Sequence, residues 1–230
     1  MISSSIKTSS GDTHLESTVF RKLARHTDEF EPYVHPHAAR IAALAGEIAK
    51  AFNLGPRDLH SLRAAALLHD LGEVTMNRDY VKRAGTLSED ERLDLERHPI
   101  IGEREAAKTG GDRAAQLIIR WHHEWWNGGG YPDALRQDEI PLAARILRVA
   151  DSYAAITDAR PFRPAKSKDK AREQMTQWAG IEFDPKVVNV LLSLEHISEL
   201  ESFAESQSEI ETRAEAPAER EWNLFSSFSR

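Results

Sequence analysis

Apolar residues recur along this chain at the three- and four-residue spacing of helix faces. Ile41, Leu44, Ala45, Ile48 and Phe52 fall on one stripe. Gly55-Pro56 ends that helix and opens the next, because proline fits a first helical turn but cannot continue an existing one. Leu59, Leu62, Ala66, His69 and Asp70 share a face of this second helix, which is predicted to end near Gly72. Ser88 followed by Glu91 has the spacing of a capping box. Pro99 restarts a helix after a break at His98. Asp112 stands where it can cap a helix running through Ile118 and Ile119 to His122. Pro141 opens another through Leu147 to Asp151, and Asp184-Pro185 caps a later one carrying Val188, Leu191 and Leu192. Alternating strand patterns are nearly absent, and no repeat of fixed period occurs. The Asn-Gly-Gly-Gly run at 127–130 is the clearest irregular segment. The expected fold class is all-α.

A length of 230 residues with 40% hydrophobic positions suits one domain with extensions. Residues 1–14 are polar and serine-rich, which predicts a flexible leader, and 15–198 then form the domain. From residue 199 onward, eight acidic residues stand against three basic ones, which predicts an acidic tail, disordered or loosely helical, over 199–230. Trp222, Leu224, Phe225 and Phe228 at its end have two readings: docking on the body or a partner, or a fraying terminus.

The formal net charge of −7 argues against a basic surface for DNA. It leaves room for a small anionic ligand, since a bound cation can dominate the local field. The absence of cysteine excludes disulfides, thiolate metal sites and a cysteine nucleophile, and agrees with a reducing cytoplasm. The first residues lack the basic and apolar regions of a signal peptide. No apolar run approaches the roughly 20 residues of a membrane span. A cytoplasmic protein without a membrane partner is expected.

The placement of the ten histidines says more than their number. His37 precedes Ile41 by four residues and so shares its inward face. His69 and Asp70 end an apolar helix, His122 and His123 end another, and Asp151 lies one turn beyond Leu147. Taken singly, an inward histidine is more often a hydrogen-bonded core residue, and an inward aspartate a cap or an ion-pair partner. An unpaired carboxylate on such a face is costly, and a bound cation removes that cost. Imidazole and carboxylate together suit Fe, Mn, Zn, Co or Ni. Two such ions about 3.5–4 Å apart activate a water and hold a phosphoryl group.

Longer runs carry a resemblance. His69-Asp70-Leu71-Gly72 looks like the signature of the HD phosphohydrolases. The run from His122-His123-Glu124 through Asn127, Gly128, Gly129 and Gly130 to Tyr131-Pro132 closely resembles the motif of the HD-GYP subfamily. Ile140-Pro141-Leu142, Arg145-Ile146-Leu147 and Val149-Ala150-Asp151 continue it, and Arg160-Pro161-Phe162-Arg163 is similar to its closing stretch. The match spans roughly residues 35–195. This resemblance implies an HD-domain helical bundle with a metal site in its core. It implies two divalent ions, Fe or Mn foremost, with Zn, Co or Ni as alternatives.

By position, His37, His69, Asp70 and Asp151 look like ligands of one ion, and Asp70, His98, His122 and His123 of the other. The resemblance implies that Asp70 bridges the two ions and that Asp70 and Asp151 are the catalytic pair. His35 competes with His37, which is preferred because Arg40-Ile41 follows it at the family's spacing. Arg160, Arg163 and Tyr131 resemble substrate-contacting positions, although isolated arginines are more often surface charges. Many members of the family hydrolyse cyclic di-GMP to a linear dinucleotide or GMP, and that is the expected reaction. A different cyclic dinucleotide or nucleotide, or a non-catalytic module binding a nucleotide or a signalling protein, are the alternatives. A regulatory protein acting through the GYP loop is a further implied partner.

The chain departs from the pattern in three places. The HD motif usually ends in lysine and here continues to Glu73, an anion where a cation would face phosphate. Glu73 either shares the face of His69 and Asp70 and ligates or repels there, or turns to solvent. Tyr33 stands where some members place a glutamate for a third ion, so two ions are expected. Asn127 replaces the usual aspartate before the glycines, and that loop either contacts ligand or partner or is simply a tight turn.

Overall fold

The computed structural model describes residues 10–31, 33, 35–159, 164–195 and 197. The expected leader falls outside it up to residue 9, as does the expected tail over 199–230. Arg160 and Arg163 also lie outside the described residues. Helix α1 (Ser10–Phe30) begins inside the segment expected to be a flexible leader, so residues 10–14 are helical.

The described elements are helical, apart from an isolated bridge between Ala179 and Phe183. α2 (His37–Ala51) and α3 (Pro56–Leu68) pack side by side, and α9 (Leu142–Thr157) lies against α2. α8 (Arg113–Trp121) covers α3, and α7 (His98–Lys108) covers α8 and the short α4 (Leu71–Met76). α5 (Asp79–Lys82) and α6 (Glu89–Leu95) lead into α7. α10 (Lys168–Trp178) and α11 (Pro185–Ser193) close over α9, while α1 crosses α2, α3 and α4. Ile41, Ile48, Leu62, Leu68, Ile119, Ile146, Leu147, Met175 and Leu191 are fully buried where these helices meet. No helix among the described residues is long and apolar enough to cross a membrane.

The caps read from sequence are present. Ser88 accepts from the Glu91 N–H while the Glu91 side chain accepts from the Ser88 N–H, a complete capping box. Asp112 accepts from Ala115 N, and Asp184 accepts from Lys186 N with Pro185 in the first turn.

Two boundaries differ from expectation. α7 starts at His98 itself, with Pro99 inside its first turn. The second predicted helix does not run to Gly72: α3 stops at Leu68 and α4 starts at Leu71. His69 keeps helical dihedrals, whereas Asp70 turns to φ −99°, ψ 14°. The reason lies at Gly72, where a Cβ would stand 2.0 Å from the His98 carbonyl oxygen. The missing side chain lets α4 press its backbone onto α7, and the chain breaks at His69-Asp70 to reach that position.

Gly72→Ala is therefore expected to cost about 1–3 kcal/mol or more through forced separation of α4 and α7. Urea denaturation reads this directly, and an unchanged midpoint would contradict the close packing of the two backbones.

Candidate metal centre

The break between α3 and α4 aims two neighbouring side chains into one buried space. His69 Nε2 lies 2.8 Å from Asp70 Oδ2. Asp70 Oδ1 faces the other way, 3.3 Å from His98 Nε2 and 3.6 Å from His122 Nε2. From α2, His37 Nε2 reaches to 3.5 Å from Asp151 Oδ1 on α9, and that same oxygen is 4.0 Å from His69 Nε2. Two groups result, Asp70 with His98, His122 and His123, and His37 with His69 and Asp151, each with ligand atoms within 4.8 Å of one another. The seven residues expected from sequence are brought together. His35 is exposed and stands apart from both groups.

Three of the imidazoles are fixed by the same device. His69 Nδ1 is 3.0 Å from the Ala66 carbonyl, His98 Nδ1 2.8 Å from that of Leu95, and His122 Nδ1 2.6 Å from that of Ile119. A carbonyl oxygen only accepts, so each Nδ1 carries a proton and donates it. Each ring thereby turns Nε2 inward, and in its neutral form offers the Nε2 lone pair there. His98 Nε2 and His122 Nε2 stand 3.4 Å apart, and both face a carboxylate oxygen. With these rings neutral, acceptors meet acceptors with no donor between them. His69 Nε2 and Asp70 Oδ1 are buried and make no hydrogen bond. A divalent cation is what such a donor set fits, and the imidazole–carboxylate chemistry without thiolate matches a hard-to-borderline ion.

The titration of the groups follows from the same arrangement. Burial disfavours charge on every one of them. At Asp70 burial, which raises the carboxyl, is outweighed by the His69, His122 and His98 rings beside it, which hold it well below its usual range. Asp151 is likewise lowered against burial to about 2, by His37 and His69. His69 is raised against burial to about 10 by Asp70 and Asp151, so a proton on Nε2 is the charge that balances these carboxylates when no cation does. His123 is driven well below its usual value by burial, His122 and Arg148.

Surrounding residues complete the site. Tyr33 stacks on His37 with ring centroids 3.7 Å apart, and Tyr131 stacks on His123 at 4.9 Å. Glu73 is buried rather than turned to solvent, but its Oε1 lies 4.0 Å from His98 Nδ1, behind the ring, and it belongs to neither ligand group. The loop at 127–130 is a tight turn tied to a distant segment by the Asn127 N–H, which donates to the Ile181 carbonyl. Asn127 Oδ1 accepts from Gly129 N, Gly128 has φ 86°, and a Cβ on Gly130 would stand 2.2 Å from Trp125 N. Arg120 anchors the chain just past this turn by two bonds of 2.7 Å to Asp133, which also accepts from Trp121 Nε1.

Sequence reasoning missed three contributors. Asp28 on α1 accepts from Ala38 N at 3.1 Å and so caps the helix that begins with His37. Asp158 lies 3.9 Å from His37 Nδ1 and 3.3 Å from Arg40. Arg148, one turn before Asp151, bonds His123 and pairs with Glu182. Only Arg148 had a sequence signal, its three-residue spacing from Asp151 on one helix face.

A helical bundle whose core brings histidines and aspartates into two groups that could hold a metal ion is the arrangement expected of an HD-type protein. The sequence profile described as "HD domain" matches residues 22–187. A cyclic di-GMP phosphodiesterase response regulator, RpfG of Xanthomonas campestris pv. campestris, is 34% identical over 77% of this chain and 47% of its own. A cyclic di-GMP phosphodiesterase of Vibrio cholerae is 36% identical over 62% of this chain and 30% of its own. Among solved structures, a cyclic GMP-AMP specific phosphodiesterase of V. cholerae superposes with a TM-score of 0.67 at 20% identity, covering 90% of this chain and 54% of that one. The chain belongs to the HD domain family. It spans less than half the length of these two curated relatives.

Burial pushes the Asp28 carboxyl from its ordinary 3.8 up to about 7. A raised carboxyl pKa contributes stability that is complete below the unfolded value and is lost as pH rises through the folded one. Asp28→Asn keeps an acceptor for Ala38 N and removes the buried charge. It is expected to raise the melting temperature of the metal-free protein at about pH 8.5 and to change it little at about pH 4. The same shift at both pH values would contradict this.

Proposed function

We propose that this chain is a metal-dependent phosphodiesterase that opens a cyclic dinucleotide, cyclic di-GMP foremost, by adding water across a phosphodiester bond. The observation that carries the reading is the convergence of Nε2 of His69, His98 and His122 on the Asp70 carboxylate, each ring turned inward by an Nδ1 bond to a helix-end carbonyl. His37, His69, Asp70 and Asp151 would hold one divalent cation, and Asp70, His98, His122 and His123 the other. Fe or Mn leads for this donor set, with Zn, Co and Ni sharing its chemistry. When bound, such a pair supplies an activated water and stabilises charge on the phosphoryl oxygens.

The chain's own residues divide the remaining work. Asp70 offers one oxygen to each group, so it sets the separation of the two positions. Asp151, held low at about 2, is suited to keeping charge and geometry. It is a weak proton acceptor, as a carboxylate so far below neutral pH must be. Burial of the His37, His98 and His122 rings excludes water from the far side of the site. Tyr131, stacked on His123, and Arg160 and Arg163 position the nucleotide.

The activities for which the relatives are named support a cyclic dinucleotide as substrate. The second reading, cyclic GMP-AMP, is favoured by the specificity of the superposed V. cholerae enzyme and by Glu73, which puts an anion where the resemblance leads one to expect lysine. A signalling protein acting through the turn at 127–130 is the proposed regulator.

Metal analysis and a hydrolysis assay on a panel of cyclic dinucleotides test the proposal. The wild-type chain is expected to hold two ions and to cleave at least one of the panel. Asp70→Ala is expected to lose both occupancy and hydrolysis. Full retention of both in that variant would reject the assignment. Tight binding of one dinucleotide by the metal-loaded wild type, with none cleaved, would select a binding module instead.

A further inference from the structure

His123 is held differently from the other imidazoles of its group. His98 and His122 each give Nδ1–H to the carbonyl three residues earlier, whereas His123 Nδ1 is met by Arg148 Nη1 at 2.8 Å. A guanidinium has only N–H groups to offer, so this bond has one polarity and Nδ1 accepts. A ring that accepts at Nδ1 is neutral, and its single proton sits on Nε2. Neither nitrogen then presents a lone pair to a cation: one is taken by Arg148 and the other carries hydrogen. Stacking on Tyr131 at an interplanar angle of 20° keeps the ring from swivelling freely. Arg148 is tied on its far side to Glu182 and lies 3.8 Å from Asp151 Oδ2, so it touches a member of each ligand group.

We propose that Arg148 gates the cation position formed by Asp70, His98, His122 and His123: a cation gains His123 as a ligand only when the guanidinium leaves Nδ1. This inference rests on the two-cation reading above. It makes that position the weaker and more exchangeable of the two, because cation binding there must break the Arg148–His123 bond and bring a second positive charge towards Arg148. The other position, where the Nδ1 of His69 is held by a carbonyl rather than a guanidinium, fills first.

The test uses the metal-free full chain titrated with Mn(II), following the two binding steps by calorimetry and counting bound metal. Nitrogen-15 NMR of the imidazoles reports each tautomer, with His123 assigned by its disappearance in His123→Gln. In the metal-free wild type, His123 is expected as the Nε2–H tautomer and His98 and His122 as Nδ1–H. Arg148→Met is expected to tighten the weaker Mn(II) step by about 10- to 100-fold, the scale seen when a group contacting a metal ligand is changed. His123→Gln is expected to weaken that same step and to abolish the gain in the double variant.

An Nδ1–H tautomer at His123 in the wild type overturns the inference alone and leaves the two-cation reading standing. So does an unchanged or weaker second step in Arg148→Met with its circular dichroism intact. If Arg148→Met does not fold, the wild-type tautomer alone decides. Failure of the wild type to bind Mn(II) at all overturns both.

Discussion

The site depends on hydrogen bonds that face away from it. Ala66, Leu95 and Ile119 each lie in the last turn of a helix, where carbonyls have no intrahelical partner. A histidine three residues later satisfies that carbonyl with Nδ1–H. One bond thereby closes a helix end, selects a tautomer and turns the Nε2 lone pair towards Asp70. The helix ends of α3, α6 and α8 are thus the parts that build the centre. The rest of the bundle brings those ends to one place.

The bundle meets that demand through close backbone approach. Gly72 lets α4 press onto the first turn of α7, which carries His98, and the resulting break after Leu68 sends His69 and Asp70 into the same space. α2 and α9 bring His37 and Asp151 from the opposite side. Burying several carboxylates and imidazoles in this way is unfavourable unless charge is balanced. The opposed shifts of His69 upward and of Asp70 and Asp151 downward are the sign of that tension. Protons relieve it in the metal-free chain, and cations relieve it in the loaded one.

Much of this was legible in the sequence because it lay in local patterns. The faces of α2 and α3 and the caps at Ser88, Asp112 and Asp184 follow from helical spacing, and the seven histidine and aspartate positions from the resemblance to the HD-GYP motifs. The features that were not legible depend on contacts distant in sequence. The break at Asp70 is set by His98, twenty-six residues away from Gly72, and Asp28 reaches the start of α2 across a turn. Glu73 could be placed on the inward face by its spacing. Only the packing shows that it stands behind the His98 ring rather than in front of it. Arg148 would pass for a surface charge on α9 were His123 and Glu182 not both beside it.

The most direct test of the two-cation centre is a crystal structure of the Mn(II)-loaded chain with anomalous scattering measured at the manganese edge. Two peaks are predicted, one on each side of the Asp70 carboxylate. One should be bordered by His37, His69 and Asp151, the other by His98, His122 and His123. Peaks elsewhere, or none beside Asp70 at saturating Mn(II), would contradict it.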